Sequence, residues 1–405
     1  MMSDNDKLQI IRKISGNENG CIPSLDEPDW NDLMEFSRKQ GVMCYLYSLL
    51  RRQNSESIIP EAWRSKIRLQ MMYNTGANIK HLLELEELSL TFEKAKIPVI
   101  FLKGSHLAFH VYPTPSLRAM CDIDLFVREE DLVQCTNILR DSAYQSEYYD
   151  LENVRKNHRH LPNFTKKGKK NIELHWTLLD PIFHNASTKI IQHWLIHETE
   201  QKNFGNGRAL VLKPDAELFY LMLQIGMNDQ LEVPLKNMVD LTVCIEKYQH
   251  ELHWDVIAGK IRMSGFVRRF ALVAWLAKHL VAAPFPNVFF EALHVEISRE
   301  IQEAAINKII RLCDVDFHGP FPAIRDAGIF QKIHIILSYI FIPPSLMKFR
   351  YKLKNNWEAI IFYPGRIFIV AKKYKSTLLQ IVYPGKELRI KSREEVLLRS
   401  WLEDG

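Results

Sequence analysis

Two aspartates one residue apart, in Cys121-Asp122-Ile123-Asp124-Leu125-Phe126-Val127, follow the turn Lys103-Gly104-Ser105. The segment before the turn, Pro98 to Leu102, reads as a strand, and so does 122–127. Successive side chains of a strand point to opposite faces, so Asp122 and Asp124 share one face while Ile123, Leu125 and Val127 share the other. Adjacent carboxylates repel each other, and a bound cation relieves that repulsion. The glycine turn opens a helix, whose backbone N–H groups and positive dipole end suit a phosphate. A carboxylate pair for a divalent metal beside a phosphate cradle is equipment for phosphoryl or nucleotidyl transfer.

A third acid follows. In Asn171-Ile172-Glu173-Leu174-His175-Trp176, Ile172, Leu174 and Trp176 alternate with Glu173 and His175. The preceding Lys166-Lys167-Gly168-Lys169-Lys170 has the make-up of a hairpin turn. The order Gly-Ser turn, Asp-x-Asp strand, later acidic strand resembles the nucleotidyltransferase superfamily related to DNA polymerase β. A closer resemblance is to a bacterial family of uncharacterised nucleotidyltransferases. Leu102-Lys103-Gly104, Arg118, Asp122-Ile123-Asp124-Leu125, His158-Arg159-His160 and Glu173-Leu174-His175-Trp176 match its pattern in that order, over about residues 95 to 180.

The resemblance implies an α+β fold, a small mixed-sheet nucleotidyltransferase core embedded in a mainly helical chain. Asp122, Asp124 and Glu173 would be catalytic and would hold Mg²⁺, with Mn²⁺ as the alternative. Lys103, Gly104, Ser105 and Arg118 would contact the phosphates of an NTP, and His160 and His175 would serve the acceptor or stand behind the acids. The implied reaction moves a nucleoside monophosphate from the NTP to an acceptor and releases pyrophosphate. ATP is the donor by frequency alone. A small molecule, a saccharide or a protein are each open as acceptor, and nucleic acid is not indicated. The family's later helical segment often carries a histidine before a Leu-Lys/Arg…Asp helix; Leu235-Lys236…Asp240 matches that helix, but Met227-Asn228 stands near the histidine's place, which weakens the case for a substrate role of the helix. Lys236 and Asp240 on that helix have the spacing of an ordinary salt bridge.

Plainer readings exist for the same residues. Asp-x-Asp also occurs at solvated strand ends, Glu173 could pair with the neighbouring lysines, and Ser105 could simply cap a helix. Lys103 and Arg118 could only neutralise the aspartates; His158, His160 and His175 are read on the exposed face of a strand, and His158 as a plain surface residue. Since the carboxylates repel, their removal is expected to leave the apo fold intact. Two other functions use similar parts. One is a nucleotide-binding or regulatory module without turnover. The other is a glycosyltransferase with a metal-binding Asp-x-Asp, which requires a parallel sheet in the first hundred residues.

That region instead shows helical periodicity, at Asn31 to Leu50 and Ile67 to Lys94. The chain divides into a helical segment 1–95, the core 96–185, a helical domain 186–330 and a basic region 331–405. Further helices are expected at Glu129 to Ala143, with Val133 among its apolar positions, and at Ala216 to Met227, Leu235 to Gln249, Trp254 to Met263, Val267 to Val281 and Phe289 to Leu312. Strand signals fade after Asp180. The 405 residues are 47% hydrophobic with a net charge of +5, ordinary for a globular protein. From 331 to 393, Lys and Arg outnumber Glu by thirteen to two. That stretch would dock on an anionic surface or turn its lysines to water. Six cysteines contain no C-x-x-C pair, so neither a zinc site nor a disulfide framework is indicated. Without a signal-like N-terminus or an apolar run of about 18 residues, a soluble cytoplasmic protein is expected.

Overall fold

The computed structural model describes residues 2–17, 24–147 and 151–311, and beyond them 355, 357–358, 362–366 and 386–403. The chain forms two compact units, residues 1–314 with 401–405, and residues 315–400. Most of the basic stretch 331–393, and with it the expected anionic docking surface, lies outside the described residues.

Four long helices precede the first strand: α1 (Asp4–Ser15), α2 (Glu27–Lys39), α3 (Met43–Arg52) and α4 (Glu61–Lys94). The helix expected from Asn31 to Leu50 is split because Gly41 adopts φ +71°, the left-handed conformation that ends helices. Along α4 the buried positions include Ile67, Asn74, Asn78, His81, Leu85, Leu88 and Phe92. Steps of three, four and seven residues keep them on one face. The C-terminal part of this stripe is apolar and belongs to the core under the sheet, whereas its middle is polar.

The sheet has five strands: β1 (Ile100–Phe101), β2 (Asp122–Phe126), β3 (Asn171–His175), β4 (Thr199–Phe204) and β5 (Gly207–Leu212), in the order β3-β2-β1-β5-β4. β2 runs parallel to β3 and antiparallel to β1, β1 is parallel to β5, and β4 is antiparallel to β5. After β1 come one helical turn, α5 (Gly104–His106), and after β2 the helix α6 (Leu132–Asp141). Ile123, Leu125, Val127, Ile172 and Leu174 are fully buried in one cluster with Leu85, Leu88 and Phe92 of α4 and Leu132, Cys135 and Leu139 of α6. The expected alternation on β2 and β3 is therefore the core face of the sheet.

Around and beyond the sheet the helices are α7 (Leu151–Asn157), α8 (Ala186–His197), α9 (Pro214–Leu223), α10 (Leu235–Tyr248), α11 (Trp254–Ser264), α12 (Val267–Val281), α13 (Asn287–Leu293) and α14 (Arg299–Arg311). Three details differ from expectation. Strand signals do not end at 180: β4 and β5 extend the sheet, and β4 escapes notice because an edge strand reading Thr-Glu-Gln-Lys-Asn-Phe has no apolar alternation. The helix expected from Phe289 to Leu312 is broken, with His294 at φ +50°. Val133 faces solvent, 58% exposed. No helix among the described residues is long and apolar enough to cross a membrane.

His81, inside the α4 stripe, has no hydrogen bond on either ring nitrogen among the described residues. Burial, helped by the charges of Lys170 and Arg118, lowers its pKa to about 3 from an ordinary 6.5. Between those two values the unfolded chain takes up a proton that the folded protein refuses, so stability falls as pH falls. Substituting His81→Leu is expected to flatten that part of the urea-midpoint profile. An unchanged slope between pH 6.5 and 4 would show that the imidazole is not held neutral.

Candidate active site

The turn after β1 begins with strain. Lys103 adopts φ +46° and ψ −121°, a conformation that side-chain-bearing residues rarely take and that surrounding contacts must enforce. Here the enforcing contacts are visible. The Ser105 N–H donates to Leu102 O, the His106 and Leu107 N–H groups donate to Lys103 O, and Lys103 Nζ donates to Asp124 Oδ1 at 2.7 Å. Gly104 is needed for space: a Cβ there would stand 2.6 Å from Arg118 Nη1. Ser105 is fully buried with its hydroxyl unbonded among the described residues, and it does not line the pocket. Its hydroxyl is therefore not presented to the pocket.

Arg118 is held from two sides. On α4, Asn74 donates to Ser116 O, and Asn78 donates to Pro115 O and Arg118 O, pinning the backbone that carries it. On α10, Asp240 accepts from Arg118 Nε at 2.8 Å and Nη2 at 2.9 Å, and from the Tyr112 hydroxyl at 2.7 Å. Burial alone would lower the guanidinium pKa, but Asp240 outweighs it and the group is held above its usual value. The salt bridge expected between Lys236 and Asp240 is thus replaced. A buried carboxylate gains more from a bidentate guanidinium, and Lys236 lines the pocket instead.

The acids converge through sheet register. Asp124 on β2 is the direct partner of Glu173 on β3, which puts both on the face opposite the core. Asp124 is 4% exposed and accepts from Lys103 as above. His175 Nε2 lies 3.0 Å from Asp124 Oδ1 and 3.6 Å from Glu173 Oε2. Asp124, Glu173 and His175 present ligand atoms all within 4.8 Å of one another. Asp122 is not in that set, though it lines the same pocket. His175 was expected on an exposed strand face but is fully buried. Residues around His160 pair along β3, and the His160 ring lies 5.1 Å from that of His175. His160 Nδ1 is 2.8 Å from Leu161 O, and neither histidine lines the pocket.

The electrostatics follow from these neighbours. Burial pushes the Asp124 carboxyl up, but Lys103 and His175 outweigh it and hold the group well below the carboxylate range. Burial likewise opposes Lys103, and the Asp124 charge holds its ammonium above the usual lysine value. For Glu173, burial is outweighed by the close approach of His175 Nε2, with a smaller contribution from the Lys103 charge, so the group is lowered. Asp122 goes the other way: burial and the charges of Asp124 and Glu173 raise it. Lys103 and Lys236 offset these effects only in part.

The pocket encloses about 250 Å³. Besides Lys103, Gly104, Arg118 and the acids, it is lined by Arg159, Gln224, Asp229, Lys236 and Asn237, to none of which the sequence pattern assigned a role at the site. Arg159 Nη2 is 3.6 Å from Asp229 Oδ1, which also accepts from Gln224 Nε2 at 2.8 Å. Burial raises Asp229, and burial with the Arg118 charge lowers Lys236. Arg159 lay inside the His158-Arg159-His160 match and Lys236 inside Leu235-Lys236…Asp240, and these were the readable signals. The region 224–237, whose case for a substrate role the missing histidine weakened, supplies one wall.

Residues 26–282 match a family described as uncharacterised nucleotidyltransferase. The chain belongs to that family. The matched span contains all five strands and every residue of the pocket. No curated protein and no solved structure matches the chain. For this nucleotidyltransferase the site geometry corrects one expectation, that removing the repelling carboxylates is harmless. Asp124→Ala leaves the Lys103 ammonium buried without its partner and is expected to cost about 3 kcal/mol in urea unfolding. The double variant Lys103→Met with Asp124→Leu should recover much of that loss. A single-variant loss under about 1 kcal/mol would show that the pair does not hold the turn.

Proposed function

We propose that this nucleotidyltransferase moves a nucleoside monophosphate from an NTP to an acceptor hydroxyl or phosphate and releases pyrophosphate, with Mg²⁺ as cofactor. The observation that carries this reading is the Asp124–Glu173 register, with Asp122 in phase, facing Lys103, Gly104 and Arg118 in one small pocket. Carboxylate oxygens are the donors Mg²⁺ prefers, and it is usually held by one or two of them together with substrate phosphates. The repulsion among Asp122, Asp124 and Glu173, only partly offset by Lys103 and Lys236, is what a divalent cation would relieve. Asp122 and Asp124 would hold the ion that accompanies the NTP, and Glu173 would complete the set. When bound, it would polarise the phosphoryl oxygens and favour ionisation of the acceptor hydroxyl.

The chain's own residues supply the rest. Lys103, Arg118, Arg159 and Lys236 offset charge developing on the phosphates, and Gly104 lets backbone approach them closely. Four pocket cations stand against Asp122, Asp124, Glu173 and Asp229, so the empty pocket has little net charge. A triphosphate then needs a divalent cation for charge balance, which makes NTP binding Mg²⁺-dependent. Glu173, held ionised, is placed to accept the acceptor's proton. His175 orients Asp124 and Glu173 from behind.

One observation favours the second reading, a nucleotide-binding module without turnover: Lys103 Nζ already occupies Asp124 Oδ1, where a metal would compete. The glycosyltransferase reading is not supported, since the described part of residues 2–99 forms no strand.

Thermal shift with each NTP, with and without Mg²⁺, separates these. The wild type should be stabilised by at least one NTP, with ATP the first to try, only when Mg²⁺ is present, and Asp122→Asn should lose the effect. Glu173→Gln should keep binding while pyrophosphate release drops by about 10²- to 10⁴-fold. Metal-independent stabilisation without pyrophosphate release under any acceptor would select the module. No shift with any NTP at millimolar concentration would remove the donor site itself.

A further inference from the structure

Group transfer requires two substrates in contact, and a pocket of about 250 Å³ is small for more than the phosphate portion of one of them. A second cleft adjoins it. It encloses about 680 Å³ along α4, between Met72, Tyr73 and Leu83 on one side and the turn Gly168-Lys169-Lys170 on the other. That volume lies in the range of small-molecule sites. One hydrogen bond joins the two linings: Lys170, on the cleft, donates from Nζ to Met120 O at 2.8 Å, and Met120 lines the pocket.

The cleft has a distinct chemistry. Met72, Tyr73 and Leu83 are 71%, 73% and 60% exposed, an apolar surface on one face of a helix that Gly76 and Ala77 leave open at its centre. Lys80 lies on the same face and makes no ion pair among the described residues. Lys169 is paired with Glu87, whereas the Lys170 ammonium meets a carbonyl and no carboxylate among the described residues. The one acidic wall residue, Glu84, is already engaged by the Tyr144 hydroxyl and the Lys170 N–H. On the inner wall stands His81, 1% exposed, with both ring nitrogens unbonded among the described residues. A buried polar group left unpartnered is costly unless something supplies its hydrogen bonds.

We propose that this cleft is the acceptor site, and that the acceptor is a small molecule with a flat apolar body and an anionic group. The body lies on Met72, Tyr73 and Leu83, the anion is met by Lys80 and Lys170, and His81 supplies a neutral hydrogen-bonding group at the floor. The apolar surface selects against a free sugar, and the unpaired ammonium groups select against a neutral hydrocarbon. The word acceptor rests on the nucleotidyl-transfer reading above. The ligand chemistry rests on the cleft alone.

The test uses 1-anilinonaphthalene-8-sulfonate, an aromatic body with one anion, titrated by fluorescence into the full chain. One saturable site per chain is expected, displaced by phenyl phosphate more strongly than by phenol or inorganic phosphate. Lys80→Glu and Leu83→Glu change exposed side chains, so their circular dichroism should match wild type while each weakens the probe by about tenfold. Saturating Mg²⁺ and NTP should leave the probe bound, since donor and acceptor must be held together. Asp122→Asn should abolish the nucleotide shift and spare probe binding, which keeps failure of the donor site apart from failure of the cleft. Unchanged probe affinity in both cleft variants overturns the proposal, as does displacement of the probe by nucleotide. A stoichiometry of one probe per two chains, with a dimer in light scattering, also overturns it and makes the cleft an interface between copies.

Discussion

Asp124 is a carboxylate buried on the central part of the sheet, and much of the site is arranged around keeping it charged. An isolated ion in that position would protonate rather than stay ionised. Lys103 prevents this from the turn after β1, at the cost of a strained backbone, and His175 does so from the neighbouring strand. Lys103 in turn depends on Asp124 for its counter-charge, and His175 has Asp124 as the partner of its Nε2. The parallel register of β2 and β3 decides whether they meet. A slip of one residue would carry Glu173 to the core face and bring Ile172 or Leu174 to the pocket. The apolar cluster of Ile123, Leu125, Ile172 and Leu174 makes such a slip expensive, so the core sets the spacing of the acids.

A second charged pair fixes the opposite wall. Arg118 reaches Asp240 across 122 positions of chain, and its backbone hangs from two asparagines on α4. This explains why the buried stripe of α4 turns polar in its middle: the loop before β2 has carbonyls that must be satisfied where water is excluded. The helix therefore has two tasks along its length, packing under the sheet with Leu85, Leu88 and Phe92 and positioning the guanidinium with Asn74 and Asn78. Its outward face, with Met72, Tyr73 and Leu83, serves neither task.

Much of the local design was legible in the chain itself. The alternation at 122–127 and 171–176 gave the phase of the three acids because the strand period is two and one face is apolar. The glycine after Lys103 marked the turn, although the reason for it, the approach of Arg118, was not visible. β4 could not be read because an edge strand needs no apolar face. His175 was misplaced as exposed because alternation reports which face a side chain takes, and not whether another segment covers that face. Arg159, Asp229 and Lys236 were missed for a similar reason, since each sits on an element whose own pattern is satisfied without reference to the site.

By itself the sequence determined the pieces that depend on neighbours a few residues away: the carboxylates in phase, the glycine turn, the helical run of α4, and the family to which these motifs belong. Only the tertiary structure decided which cation meets which acid. Lys103 takes Asp124, Arg118 takes Asp240, and Lys236 turns from its helical neighbour to the pocket. Electrostatic attraction acts over a few ångströms of space without regard to chain separation. Packing of the sheet against α4, and of α10 against the helical turn 107–111, brings those groups within that reach, and no local period in the sequence records it.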